Sequence, residues 1–367
     1  MRTHLIRHPL GWMVLCLLTL FTMSACSLLD AAGLTDSGSQ PVAAGAQPAV
    51  ANPLACKLLK ASAYAYQVNS TGPISPDTTL AGLLGETGEA YGVASGSAGQ
   101  TDSDRDAAYL WLSGNEVIIA FRGTVPYTKG DDAAAQQRVL QDWLNDADFA
   151  PQTDPELGQV HKGFRDAFYN LWPGIAKQIN AWQAAGKLGP QVNVYVTGHS
   201  KGGALAMLAA LKLKADRLLP VTEVDTFGAP RVGGADFATR YAAQGINGYR
   251  YENQDDVVPH VPLDQMELTI LPLLERVITL SGNQPGDYVS VGKLHYIDSD
   301  GGIVSPADAT AEADLDTQRL TEFGGVLLST SSQDVMDTVI GAHELGDLSA
   351  SDKSRYFQAV CRVPAGH

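Results

Sequence analysis

The sequence of 367 residues has few basic residues and few cysteines, and no apolar run after residue 23 is long enough to cross a membrane. Lys and Arg number 25 against 40 Asp and Glu, so the net charge is −15. A chain this acidic is repelled by nucleic acid and by anionic lipid surfaces, which argues against nucleic-acid partners. No CxxC or HxxxH spacing suggests a metal site, so the sequence predicts none.

Residues 1–25 predict a signal peptide. Arg2 and Arg7 give a positive start, and residues 10–23 are apolar without charge but too few to span a bilayer comfortably. Met23-Ser24-Ala25-Cys26 resembles a bacterial lipobox, in which a peptidase cuts before a cysteine that carries lipid. Methionine stands here where leucine is usual. The alternative is an ordinary signal peptide cut near Ala25, which would leave a freely secreted protein.

Residues 26–55 predict a lipidated Cys26 followed by a flexible tether. The segment is rich in Ala, Gly, Ser, Gln and Pro, and it has too few large apolar residues to offset the entropy of ordering. The remaining residues, 56–367, suit one large α/β domain. A lipidated cysteine and a tether together predict a domain anchored to a membrane of the bacterial cell envelope.

Two cysteines remain when Cys16 leaves with the signal peptide and Cys26 carries lipid. These are Cys56 and Cys361, at the two ends of the predicted domain. In an exported, oxidising setting they predict a disulfide, with two free thiols as the alternative.

Residues 192–212 contain the strongest functional pattern of the chain. Alternating valines up to Val196 are typical of a strand, and residues 204–211 are helix-forming. Between them, Gly198-His199-Ser200-Lys201-Gly202 matches the GxSxG nucleophile elbow, in which glycines permit a sharp turn that exposes the serine hydroxyl. Ser200 is therefore predicted to be a catalytic nucleophile.

The sequence GHSKGG resembles the elbow of the class 3 (fungal-type) lipases, a branch of the α/β-hydrolases. Other segments fit this family in its order: AFRGT at 120–124, DWLNDADF at 142–149, VHKGF at 160–164, FGAPRVG at 227–233 and DVVPHVP at 256–262. The resemblance covers most of residues 110–345. It implies an α/β-hydrolase fold, with a central mostly parallel sheet flanked by helices, and a serine hydrolase of lipid esters that needs no cofactor.

The resemblance also implies the partners of Ser200. Thr124 and the backbone N–H of Lys201 would form the oxyanion hole, although Thr124 could instead be a cap or turn residue. Asp256 holds the family's position for the acid and is favoured over Asp255. His343 would be the base, because it completes the order Ser, Asp, His.

Two other histidines after Asp256 compete with His343. His260 lies too close to the acid in sequence to arrive from a separate loop, and His295 lies within a predicted strand, where packing is the usual role. The family usually has a tyrosine near Leu348, which this chain lacks.

Two segments could cover the site. Residues 125–141 are polar and alanine-rich and predict a solvated loop with a short helix, with a lid as the alternative. Residues 264–292 contain a broadly apolar helix, which is either buried against the sheet or a cap over the active-site mouth that binds acyl chains.

Local patterns predict the remaining elements. Residues 108–112 and 117–121 read as two strands of a hairpin, 221–227 and 249–253 as further strands, 54–68 and 165–183 as helices, and 74–100 as a loop region.

The function predicted from these features is cleavage of carboxylic esters of lipids through an acyl-enzyme. A phospholipase A1, an acyltransferase or an esterase of plant-wall aromatic esters would use the same residues. A non-catalytic envelope lipoprotein that keeps the fold as a scaffold is the alternative of a different class.

Overall fold

The computed structural model describes residues 47–48, 52–75, 78–95, 106–124, 151–262, 288–329, 341–345 and 354–362. The predicted signal peptide, Cys26 and the segment 125–141 lie outside these residues. The same is true of the predicted apolar helix near residues 269–280. The predictions for these parts of the chain remain predictions.

Fourteen strands and seven helices lie within the described residues. The strands are β1 (Gln47–Pro48), β2 (Gly72–Ile74), β3 (Glu89–Ala94), β4 (Ala107–Ser113), β5 (Glu116–Phe121), β6 (Pro151–Asp154), β7 (Gly158–His161), β8 (Asn193–His199), β9 (Val221–Phe227), β10 (Gly233–Gly234), β11 (Gly248–Asn253), β12 (Tyr288–Val289), β13 (Lys293–Ile297) and β14 (Ile303–Ser305). The helices are α1 (Pro53–Tyr64), α2 (Thr78–Leu84), α3 (Lys162–Ala184), α4 (Lys201–Ala215), α5 (Ala235–Ala243), α6 (Ala309–Ser329) and α7 (Arg355–Val360).

Ten strands form the central sheet in the order β1-β14-β13-β11-β9-β8-β5-β4-β3-β2. The five strands from β13 to β5 in this order are parallel, and the outer strands on both sides are antiparallel. The other four strands form a small antiparallel sheet. The predicted hairpin of β4 and β5 is confirmed, and so is the mostly parallel sheet of the α/β-hydrolase fold.

Helices cover both faces of the sheet because its central strands are apolar on both sides. In β5, Val117 and Ile119 pack into the core beneath α3 and α4, whereas Ile118 and Ala120 pack into the core beneath α1 and α7. The predicted apolar face of α3 is confirmed, since Phe168, Leu171, Ile175 and Ile179 are all buried. Within the described residues, no helix combines the length and apolar character needed to cross a membrane.

The prediction of a loop over residues 74–100 was wrong for its central part, which forms α2 and β3. β3 pairs with β2 on one side and with β4 on the other. Its sequence includes glycine and two alanines, which disfavour a strand locally, but pairing and burial outweigh that preference. A Cβ on Gly92 would lie 2.6 Å from the carbonyl oxygen of Ser70, so the small residue permits close backbone packing there.

Two pieces of the predicted tether contribute to the fold. Gln47–Pro48 pairs with β14 at the edge of the sheet. The side chain of Asn52 accepts a hydrogen bond from the N–H of Leu54 and so caps α1, which begins at Pro53. The domain therefore uses residues before the predicted boundary at 56.

A disulfide joins Cys56 in α1 to Cys361, which directly follows α7. The two cysteines are 305 residues apart in the chain. Their bond holds α1 against α7 on the same face of the sheet.

Replacing both Cys56 and Cys361 by serine is expected to lower the free energy of unfolding by about 2–5 kcal/mol, because the unfolded chain loses a long-range cross-link. Urea unfolding of exported protein measures this change. Reductant should destabilise the wild type by a similar amount and leave the variant unaffected. Free thiols at both positions in exported wild-type protein would contradict the assignment.

Candidate active site

Ser200 lies in a sharp turn between β8 and α4. Its φ of 57° and ψ of −136° form a strained conformation that residues other than glycine rarely adopt. A hydrogen bond of 2.9 Å from its N–H to the carbonyl oxygen of Phe227 fixes the turn. A Cβ on Gly198 would lie 2.2 Å from the carbonyl oxygen of Gly202, so only glycine fits there. The turn has the geometry that the GxSxG pattern predicts.

His343 pairs with Asp256, as the sequence predicts. The imidazole Nδ1 lies 2.9 Å from Oδ2 and 3.0 Å from Oδ1 of the carboxylate. An ionised carboxylate can only accept hydrogen bonds, so Nδ1 carries the proton and donates it. In the neutral imidazole, Nε2 then keeps its lone pair and can accept a proton.

Asp256 is almost completely buried, and three donors converge on its carboxylate. Besides His343, the Tyr356 hydroxyl donates to Oδ2 at 2.6 Å and the N–H of Val258 donates to Oδ1 at 2.9 Å. Burial favours the neutral acid. The charge of His343 and these hydrogen bonds outweigh burial and hold the pKa of Asp256 below its ordinary value. Asp256 is therefore ionised at neutral pH.

The turn after β9 contacts both the Asp256–His343 pair and the segment that carries Ser200. Gly228 follows Phe227, whose carbonyl holds the Ser200 N–H, and Gly228 has a φ of 56°. A Cβ at this position would lie 2.6 Å from Oδ2 of Asp256 and 3.1 Å from Nδ1 of His343. Glycine is thus required both by the backbone angle and by the closeness of the pair.

The two predicted oxyanion-hole residues belong to the two segments next to the Ser200 side chain. Thr124 follows Gly123, where a Cβ would lie 3.1 Å from the Cβ of Ser200, so this segment runs against the nucleophile. Lys201 is the first residue of α4, so its N–H has no carbonyl partner within the helix and lies at the positive end of the helix dipole. The Lys201 side chain forms a 2.7 Å ion pair with Asp106.

The rival histidines lie in other surroundings. His295 lies in β13, where its Nδ1 is 2.6 Å from the Ser305 hydroxyl and its ring stacks on Tyr251. Burial, and then the charge of Lys293, lower the pKa of His295 to about 4. His260 lies in a short 3₁₀ turn and its carbonyl accepts a hydrogen bond from Arg231.

Asp255, the rival acid, lies beside a partly exposed arginine. Its carboxylate lies 3.6 Å from the guanidinium of Arg355 and is partly exposed. This environment agrees with its interpretation as a surface loop residue.

The arrangement is suited to nucleophilic attack on a carbonyl group. A serine, a histidine held in one tautomer by a buried carboxylate, and backbone donors at a helix start are the parts that acyl transfer requires. Within the described residues, no group of three or more His, Cys, Asp or Glu side chains is placed to hold a metal ion.

Residues 118–266 match the family model of the class 3 lipases. This match includes the elbow, Thr124 and Asp256. The central part of the chain is therefore similar to the class 3 lipases.

Known lipases are similar to this chain over part of their length. The chain is 30% identical to a lipase of Caenorhabditis elegans over 196 residues, which are 52% of this chain and 50% of that protein. It is 33% identical to the secreted mono- and diacylglycerol lipase 1 of Fusarium solani over 150 residues, 40% of this chain and 39% of that protein. The chain thus spans half or less of the length of these relatives. The solved triacylglyceride lipase of Rhizomucor miehei aligns over 71% of this chain and 86% of its own, with 21% identity and a TM-score of 0.47.

Sequence reasoning missed Tyr356, which lies beyond the class 3 lipase segment. The family's tyrosine near Leu348 is absent, but α7 supplies a hydroxyl to the acid from a later position. The amide N–H of Asn253 in turn donates to this hydroxyl at 3.3 Å. A tyrosine among buried residues shortly after the expected position was the signal that could have identified it.

Replacing Tyr356 by phenylalanine keeps the ring and removes one hydrogen bond to the buried carboxylate, a bond of a kind that contributes about 1.5–3 kcal/mol. We expect Ser200 to react about tenfold more slowly with a fluorophosphonate probe, because Asp256 holds His343 less firmly. The rate of probe labelling measures this effect.

Tyr109→Phe is the matched control. It removes another buried tyrosine hydroxyl, which donates to the carbonyl of Ala61 at 3.2 Å within the core. The control is expected to label at the wild-type rate. Equal labelling rates for Tyr356→Phe and the wild type would contradict a role of Tyr356 in holding the acid.

Proposed function

We propose that this chain is a serine hydrolase that cleaves carboxylic ester bonds of lipids, with acylglycerols as the expected substrates. The observation that carries the proposal is the Asp256–His343 pair, held beside a serine in a strained elbow. The similarity to lipases of this family supports the lipid ester as substrate.

In the proposed reaction, the Ser200 hydroxyl oxygen attacks the ester carbonyl carbon while Nε2 of His343 takes the hydroxyl proton. The resulting oxyanion is stabilised by the N–H of Lys201 and by Thr124. His343 then gives its proton to the alcohol oxygen as the carbon–oxygen bond breaks. Water loses a proton to His343, attacks the acyl-enzyme and releases the acid, and Ser200 regains its proton. Asp256 stabilises the imidazolium in both steps.

Ser200→Ala and His343→Ala are each expected to lower kcat by at least about four decades on a soluble short-chain ester, because both belong to one catalytic unit. The measurement is turnover of p-nitrophenyl butyrate by purified, folded protein. The double variant is expected to lose little more than either single one.

His295→Ala serves as the control, because this histidine packs on Tyr251 rather than on Asp256. It is expected to keep kcat within about threefold. Near-normal hydrolysis by folded Ser200→Ala would refute the function, whereas loss of hydrolysis in His295→Ala but not in His343→Ala would reassign the base.

We further propose that Cys26 carries lipid and anchors the domain to a membrane of the bacterial cell envelope. Support comes from the sequence alone: an apolar signal segment, a lipobox-like cysteine and a polar tether occur in succession. Acyl chains on one cysteine, at about 0.8 kcal/mol per buried methylene, would hold the domain at a membrane.

Cys26→Ser is expected to move the protein from the membrane fraction to the soluble fraction of expressing bacteria. Cys16→Ser, within the predicted signal peptide, is the matched control and is expected to remain with the membrane. Fractionation and incorporation of labelled palmitate measure both. Unchanged membrane association of Cys26→Ser would overturn the anchor.

A further inference from the structure

Tyr66 belongs to none of the catalytic groups, yet its hydroxyl touches two segments of the site. It lies in the 3₁₀ turn that follows α1, and its oxygen is 2.8 Å from Nδ1 of His199, the residue before the nucleophile. Its oxygen also accepts a hydrogen bond from the N–H of Gly123, next to the oxyanion-hole residue Thr124. A Cβ on Gly123 would lie 2.1 Å from this hydroxyl, which shows how tightly the contact is packed.

His199 extends this contact to the base. Its Nε2 lies 2.7 Å from the backbone carbonyl oxygen of His343, and the two imidazole rings are 4.6 Å apart. Because a carbonyl can only accept, Nε2 of His199 carries a proton and donates it. The side chain of Asn253 donates to the neighbouring carbonyl of Ala342 at 2.9 Å, so two side chains hold the segment that carries the base.

The protonation of His199 follows from its surroundings. The residue is 4% exposed, and burial, followed by the charge of His343, lowers its pKa to about 3. The imidazole is therefore neutral, and with the proton on Nε2 its Nδ1 must accept from the Tyr66 hydroxyl. The three hydrogen bonds therefore point in one direction: the Gly123 N–H donates to Tyr66, Tyr66 donates to His199, and His199 donates to the His343 carbonyl.

We infer that Tyr66 is a positioning residue, whose hydroxyl joins the oxyanion-hole segment, the nucleophile elbow and the base segment through His199. This inference rests on the proposed function for its effect on turnover. The hydroxyl fixes the tautomer and orientation of His199, and His199 in turn fixes the backbone that carries the base. Because His199 stays neutral, it places no positive charge beside His343 when the base takes a proton in the proposed reaction.

Tyr66→Phe tests the inference with Tyr109→Phe as the matched control. Each variant removes one tyrosine hydroxyl close to α1. The Tyr109 hydroxyl bonds to α1 itself, whereas the Tyr66 hydroxyl contacts the site. We expect kcat on p-nitrophenyl butyrate to fall about tenfold in Tyr66→Phe with KM within about twofold, because misplacement of the base slows chemistry more than binding. Tyr109→Phe is expected to keep kcat. Equal kcat in Tyr66→Phe and the wild type would overturn the inference.

A double-mutant cycle with His199→Phe tests the connection itself. If Tyr66 acts through His199, then adding Tyr66→Phe to His199→Phe lowers kcat by less than about twofold more. If the double variant instead loses kcat by the product of the two single effects, Tyr66 does not act through His199 and the inference is overturned. The melting temperature of each variant identifies any that fails to fold.

Hydrogen exchange of the peptide that contains residues 341–345 gives a readout that needs no turnover. Exchange is expected to be faster in Tyr66→Phe than in the wild type and in Tyr109→Phe, because the base segment loses part of its support. Unchanged exchange would overturn the inference. A wild type whose turnover does not depend on Ser200 would instead refute the proposed function, and hydrogen exchange alone would then decide the role of Tyr66.

Discussion

A buried negative charge is the constraint on which the site depends. Asp256 is 1% exposed, and an ionised group in such a place is costly unless donors surround it. Donors arrive from three directions: the turn after β11, the segment that carries His343, and α7. Each of these segments is held by further hydrogen bonds. The need to surround one buried carboxylate with donors therefore fixes several segments at this end of the sheet.

Two neighbouring histidines have different roles because their surroundings differ. His199 and His343 have rings 4.6 Å apart. His199 faces a hydroxyl and a carbonyl within the protein interior, which keeps it neutral. His343 faces a carboxylate, which fixes one nitrogen and supports a positive charge. Different surroundings thus give two side chains of the same type different acid–base roles, and here the two side chains are imidazoles.

The sequence was sufficient to predict those parts of the site whose residues are neighbours in the chain. The strand, turn and helix around Ser200 are contiguous, so their pattern of valines, glycines and alanines predicts the turn directly. Asp256 and His343 could be chosen because the resemblance supplies their positions. Tyr66 and Tyr356 could not be found this way, because each acts through a contact formed only when distant segments pack. β3 was missed for the same reason, since its partners in the sheet outweigh its own weak preference.

The position of α7 in the chain has a consequence for the order in which the site is assembled. His343, Tyr356 and Cys361 all lie after Ser200 and Asp256 in the sequence, and Cys361 is bonded back to Cys56. A polypeptide that emerges N-terminus first therefore presents its nucleophile elbow well before it contains a base or the hydroxyl that supports the acid. Until residue 343 has been made, the growing chain has no complete set of the proposed catalytic residues. In the proposed enzyme, hydrolysis can therefore begin only after the segment with His343 has packed beside the elbow, and the docking of α7 then adds the hydroxyl that supports the acid.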